Sequence, residues 1–226
     1  SVREYGAHWA YQQQVAVAKD ILAVDRWRQL FSAALDYPLP NSAPDFGLNN
    51  KAWPDSQHRP VGPYLVAVTN ASWSTKCLPV NTWRQLLALA AESQFKVLLP
   101  WGSEPERLQA EAIAEGRENA VVLPRLSLSE LAGLLANSHG ALCNDTGLAH
   151  IAAAVGVPTV TAYGPTDPAL IAATGERSAQ ISASGFACAP CYRRQCHTAG
   201  YTGPEAQCLA SIEAKLLWDR LCALMA

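Results

Sequence analysis

The stretch Gly140-Ala141-Leu142-Cys143-Asn144-Asp145-Thr146-Gly147-Leu148-Ala149-His150 changes character midway. Gly140–Cys143 is a short apolar run, the composition of a strand buried on both faces. Thr146–Val155 is rich in small and apolar residues and reads as a helix. A polar corner joins the two. Thr146 has the chemistry of an N-cap, and Gly147 lets another group approach the backbone closely. The first N–H groups of such a helix face outward and form an anion site suited to a diphosphate. Asp145 would repel a phosphate, so its expected role is to accept hydrogen bonds from sugar hydroxyls. His150 lies about one turn from Thr146, within reach of the same ligand. A strand-to-helix turn with an N-cap and a core histidine would look the same, so this stretch alone leaves both readings open.

Working outward, the same rhythm repeats. Tyr64–Thr69, Phe95–Leu99, Ala120–Leu123 and Thr159–Tyr163 are further apolar runs, and Ala179–Ser182 is a short last one. Between them lie helical patterns at Asn81–Ser93, with Asn81 as expected N-cap, and at Glu104–Glu115. Ser127 with Glu130 forms a capping box before a further helix, and residues 211–225 close as a helix. Strands alternating with helices predict βαβ units and a mostly parallel sheet covered on both faces. Ligands of such sheets bind at the carboxyl ends of strands, which directs attention to the strand-to-helix turns.

Toward the N-terminus the pattern differs. Residues 8–35 lack proline and glycine after position 8 and read as a long helix, its apolar residues spread broadly round the wheel. Residues 38–63 then hold Pro38, Pro40, Pro44, Pro54, Pro60 and Pro63 and read as a linker or surface crossing. The expected division is 1–60 as connecting helix and linker and 61–226 as the sheet domain. Of the 226 residues 50% are hydrophobic and 16% charged, which excludes a disordered chain. Lys plus Arg is 17 against 19 Asp plus Glu, with no basic run, so no nucleic-acid partner is expected. No apolar run approaches the ~18–20 residues that span a bilayer. Seven cysteines, an odd number, suggest a reducing compartment. The chain starts at Ser1 and its only methionine is Met225, so a processed chain or a fragment is expected.

Three other turns and one cluster carry candidate chemistry. Thr69-Asn70-Ala71-Ser72-Trp73-Ser74-Thr75-Lys76 offers hydroxyls, Thr69 and Ser72 among them, and Lys76 as a point charge for phosphate. Trp101-Gly102-Ser103-Glu104-Pro105-Glu106 offers the Glu106 carboxylate, which could hold ribose hydroxyls or answer the helix dipole. Gly164-Pro165-Thr166-Asp167-Pro168 is a rigid loop in which Asp167 or Thr166 can cap the next segment. Finally, Cys188-x2-Cys191-x4-Cys196-x11-Cys208 gathers four thiols that could close a zinc or iron site or remain reduced, with Arg193 and Arg194 among them. Cys77, Cys143 and Cys222 read as buried or incidental thiols.

These motifs in this order resemble the lipopolysaccharide heptosyltransferases of glycosyltransferase family nine, most of all heptosyltransferase I. The resemblance rests on Ser1–Glu4 with the Trp9–Leu35 segment, Gly62–Leu65, Lys76-x2-Pro79, Leu99–Gly102, Asn144–His150 and Tyr163–Pro168. It implies the C-terminal half of a GT-B enzyme, a Rossmann-like parallel sheet with helices on both faces. It implies an ADP-L-glycero-D-manno-heptose donor, a Kdo-lipid A type acceptor, and inverting transfer without a required metal. Donor contacts would fall on Thr69, Ser72, Lys76, Glu106, Asp145, Thr146, Gly147 and His150. The general base would lie in an N-terminal domain that has no counterpart in this chain. The expected location is cytoplasmic, with peripheral contact to the inner membrane. Two alternatives accompany this reading: a nucleotide-sugar binding module without turnover, and a thiol-metal protein with the sheet as scaffold.

Overall fold

The alternating apolar runs form the strands of one sheet in the computed structural model, which describes residues 6–49, 51–183, 185–198, 200, 201, 203 and 205–226. The motif Ser1–Glu4 lies outside the described residues. The strands are β1 (Tyr64–Val68), β2 (Lys96–Leu99), β3 (Ala120–Val122), β4 (Gly140–Asn144), β5 (Thr159–Tyr163) and β6 (Ser178–Ser182). All pairings are parallel, and the six strands lie in the order β3-β2-β1-β4-β5-β6. The central strands β1, β4 and β5 are buried throughout, as their uninterrupted apolar character requires.

Side-chain alternation divides the core in two. Leu65 and Ala67 point to one face, where they meet α2 (Val80–Glu92), α3 (Glu104–Ala114) and α8 (Ala214–Met225) through Trp83, Leu87, Ile113, Leu217 and Leu221. Tyr64, Val66 and Val68 point to the other, against α4 (Leu128–Ala136) and α5 (Gly147–Ala154) through Leu131, Leu134, Leu135, Ala149 and Ala152. Burial of a leucine such as Leu98 or Leu99 contributes about 1.5–3 kcal/mol. The Tyr64 hydroxyl crosses the second layer to donate to the Leu134 carbonyl at 2.8 Å, and burial pushes its pKa up to about 12. Two short helices, α6 (Pro168–Ile171) and α7 (Gln207–Ala210), complete the sheet domain.

The N-terminal helix is shorter than the expected 8–35. A 3-10 turn covers Ala7–Ala10, and α1 begins only at Ala23 and ends at Leu35. None of its residues is buried, and Trp27, Phe31 and Leu35 are exposed. Apolar residues spread round the wheel give no single stripe to pack, and a helix without a packed stripe is not sustained over its whole permitted length. The proline-rich stretch crosses the α4/α5 face. Leu48 and Trp53 pack against that core, and the Trp53 indole donates to the Leu48 carbonyl at 3.1 Å. A Cβ on Gly133 of α4 would stand 3.1 Å from the Pro54 carbonyl, so the crossing runs closest to the helix where glycine leaves room. Asn81 does not cap α2: Pro79 holds the N-cap position, with Asn81 inside the helix. Among the described residues no helix is long and apolar enough to cross a membrane.

Candidate functional site

The strand order reverses direction between β1 and β4. From β1 the chain steps outward to β2 and β3, then returns to the other side of β1 at β4. The crevice opened at such a reversal, beyond the carboxyl ends of the strands, is where doubly wound sheets bind ligands. The loops that leave β1 and β4 are the two that carry Lys76 and Asp145.

They meet. Lys76 Nζ lies 2.7 Å from Asp145 Oδ2, with the aspartate side chain 5% exposed and the lysine 14%. The same carboxylate oxygen accepts a hydrogen bond from the Thr166 hydroxyl at 2.7 Å. Thr166 comes from the loop after β5, beside β4, so three strand ends converge on one carboxylate. Asp167 takes the cap role instead, accepting from the Ala169 N–H at 2.9 Å. Asn144 ties the first two loops together. Its Nδ2 donates to the Thr69 carbonyl at 2.7 Å, and its Oδ1 accepts from the Leu78 N–H at 3.0 Å. A second contact holds the ammonium of Lys76 4.8 Å from the centroid of the Trp73 ring.

The start of α5 is open. Thr146 occupies the N-cap position with extended backbone, and its side chain makes no cap hydrogen bond. A Cβ added to Gly147 would meet nothing within 4 Å. The uncapped start of α5 therefore directly follows the carboxylate that pairs with the Lys76 ammonium, and an open helix start with a cation nearby is an arrangement that holds an anion. His150 comes next on α5 and is exposed. Loss of water around its ring lowers its pKa; Lys76 adds to that lowering, and Asp145 opposes it. The imidazole is thus held neutral rather than cationic at neutral pH.

The remaining expected residues divide. Thr69 is fully buried, and its Oγ1 has no hydrogen-bond partner among the described residues. Ser72 is exposed on the β1 loop. Glu106 is half-buried at the start of α3, and its Oε2 accepts from the N–H groups of Gly102 at 2.7 Å and Ser103 at 3.1 Å. One of its oxygens is therefore committed to closing its own helix. Sequence reasoning missed Asn70, whose Nδ2 and Oδ1 are both buried without a partner among the described residues. A buried amide left bare is costly, and this one lies two residues past the carboxyl end of β1. Its presence in a polar turn was the only available signal. The bridging role of Asn144 and the grip of Thr166 on Asp145 gave no local signal, because both are contacts between distant strand ends.

The four clustered cysteines do come together, around a cavity of about 660 Å³ that Thr75 and Pro165 also line. They surround a space rather than converge on a point. Among the described residues no group of three or more His, Cys, Asp or Glu is arranged to hold a metal ion, so the thiols as positioned do not fit a zinc or iron centre. Cys77 and Cys143 are buried, and Cys222 is half-buried.

A doubly wound parallel sheet with an uncapped helix and a lysine at its reversal point is a Rossmann-like domain of the kind that builds GT-B glycosyltransferases. Comparison with known proteins agrees. The model of glycosyltransferase family 9 (heptosyltransferase) matches residues 1–202, and the chain belongs to that family. It is 44% identical over 196 residues to lipopolysaccharide heptosyltransferase 1 of Pseudomonas aeruginosa, covering 87% of this chain and 54% of the relative. The same enzyme of Escherichia coli K12 is 35% identical over 182 residues, covering 78% and 55%. Among solved structures, E. coli heptosyltransferase WaaC with ADP superposes with a TM-score of 0.77 at 29% identity, covering 99% of this chain and 63% of that one. WaaC with ADP-2-deoxy-2-fluoro heptose gives 0.73 at 30% identity, covering 99% and 62%. The chain spans about half the length of the curated relatives it matches.

Proposed function

We propose that this chain supplies the donor-binding half of an inverting heptosyltransferase that moves heptose from ADP-L-glycero-D-manno-heptose to a Kdo-lipid A type acceptor of the lipopolysaccharide inner core. The observation that carries this reading is the pairing of Lys76 with Asp145 beside the open start of α5, at the reversal point of the sheet. That relatives were solved with ADP and with a fluorinated ADP-heptose supports the donor class.

Cleavage of the bond between the anomeric carbon and the phosphate builds negative charge on the departing ADP. The ammonium of Lys76 and the amides of Thr146 and Gly147 stabilise that charge where it develops, without reorganising at the moment of transfer. This supplies, within the protein, the charge neutralisation that a divalent cation supplies elsewhere, so transfer requires no metal. Asp145 accepts from sugar hydroxyls through the oxygen not engaged by Thr166 and Lys76. Thr69, Ser72 and His150 line the same donor, and Glu106 offers its uncommitted oxygen to the ribose. The acceptor hydroxyl needs a base within hydrogen-bond reach. In this reading the base lies in a separate N-terminal domain, as the family resemblance implies. Residues 1–60 serve as inter-domain helix and linker, and residues 61–226 as the nucleotide-sugar domain. The place of work is the cytoplasm, with peripheral contact to the inner membrane.

Calorimetry of the chain with ADP and with ADP-heptose tests this. Binding tighter than about 1 mM, lost or strongly weakened in Lys76→Ala, is expected. Absence of binding, or an unaltered isotherm in the variant, sinks the reading. The binding-module alternative predicts the same isotherms with no turnover when an N-terminal half and acceptor are supplied. The thiol-metal alternative finds no support in a cavity whose thiols do not converge.

A further inference from the structure

The segment that carries the clustered thiols also carries two arginines, and it is fastened to both walls of the anion site. The Thr75 hydroxyl donates to the Arg193 carbonyl at 2.8 Å. The Tyr192 N–H donates to the Pro165 carbonyl at 2.7 Å. Thr75 adjoins Lys76, and Pro165 adjoins Thr166, which grips Asp145. Between these fastenings Tyr192 takes a left-handed φ of 53°, turning the chain sharply before the arginines. The result is specific: the Arg194 guanidinium lies 5.3 Å from the centroid of the Trp73 ring, the ring that also holds Lys76 at 4.8 Å.

One indole thus carries two cations, and they differ in state. Lys76 is already paired with Asp145. Arg194 has no salt bridge among the described residues and is exposed. We propose that Arg194 is the second cation of the donor site, engaging the diphosphate that Lys76 and the start of α5 hold. The proposal rests on the donor reading above and adds to it a residue far along the chain. The charge argument is direct. Asp145 offsets the Lys76 ammonium, so a diphosphate with two or more negative charges meets too little positive charge from Lys76 alone. A guanidinium stacked near an aromatic ring keeps its in-plane N–H fork free for two phosphate oxygens. The contact with the ring holds the side chain near its working place before the ligand arrives, which reduces the ordering cost of binding.

The test titrates inorganic pyrophosphate, ADP and adenosine into the chain and into Arg194→Ala, Arg194→Lys and Arg193→Ala. Arg194→Ala is expected to weaken pyrophosphate and ADP about tenfold and to leave adenosine unchanged, as loss of one charge-assisted contact requires. Arg194→Lys should recover part of the loss, because an ammonium restores charge without the fork. Arg193→Ala should bind within about twofold of the unaltered chain, since its neighbour alone sits at the ring. Equal binding by Arg194→Ala and the unaltered chain overturns the proposal, and so does an equal loss in Arg193→Ala. If pyrophosphate binds and depends on Arg194 while ADP does not bind, the second cation stands and the nucleotide reading falls. If neither ligand binds the unaltered chain, both fall. Arg194 is exposed, so thermal unfolding of its variants should match the parent. A lower Tm in the alanine variant alone moves the decision to Arg194→Lys.

Discussion

Two helices begin at the carboxyl edge of the same sheet, and they begin differently. At α4, the Ser127 hydroxyl accepts from the Glu130 N–H at 3.3 Å, while the Glu130 carboxylate accepts from the Ser127 N–H at 2.8 Å. The hydrogen bonds to Ser127 lower the pKa of Glu130, so the box is closed by a carboxylate. At α5, Thr146 stands in the same position with no such bond, glycine comes next, and an ammonium lies nearby. The first helix ties up one of its leading amides with its own cap. The second leaves them for something else. A helix start becomes a binding site through what the sequence withholds from it as much as through what it supplies.

The contrast between the two helix starts breaks first at Asp145. Asp145→Ala would strand a largely buried ammonium and a hydroxyl, and a loss of about 3 kcal/mol in urea-unfolding stability is expected. A loss below about 1 kcal/mol would show that Lys76 finds water instead. Next come the caps. Ser127→Ala should cost about 1 kcal/mol and leave ADP affinity untouched, whereas Thr146→Ala should cost less than half as much, having no cap bond to lose. Equal costs would mean that Thr146 caps after all. Gly147→Ala should separate stability from binding. The added methyl meets open space and raises helix propensity, so stability should hold or rise by up to about 1 kcal/mol while ADP titration shows weakened affinity. Weakened stability with unchanged ADP affinity would reverse the reading of this glycine.

The smallest effect concerns pH. The pKa of His150 is lowered in the folded chain, first by loss of water and then by Lys76. The unfolded chain therefore takes up its proton first as pH falls below about 6.5, and stability declines from there toward the folded pKa. His150→Gln should flatten this part of a plot of Tm against pH between 5 and 7. An unchanged slope would assign it to other groups.

Much of the sheet was legible because buried parallel strands must be apolar and their turns polar. Thr159–Tyr163 appears as β5 with those bounds, and the Ser127–Glu130 box forms as its spacing predicts. The segment 8–35 was misread because absence of proline and glycine permits a helix without requiring one. The candidate site was legible in its parts, Lys76 and the turn from Asp145 to Gly147, since each chemistry is local. Their pairing was not, nor was the arrival of Arg194 beside Trp73, because these contacts depend on strand order and on a fastened loop. The thiol spacing showed proximity in sequence, whereas holding an ion requires convergence in space.

The Asn144 side chain has a consequence of its own. By bonding at once to the end of β1 and to the entry of α2, it fixes the far ends of the loop that carries Lys76. The freedom that loop surrenders is surrendered when the chain folds, so on the donor reading proposed above a nucleotide would not have to freeze it again. An amide that bridges two strand ends thereby presents a surface already at rest.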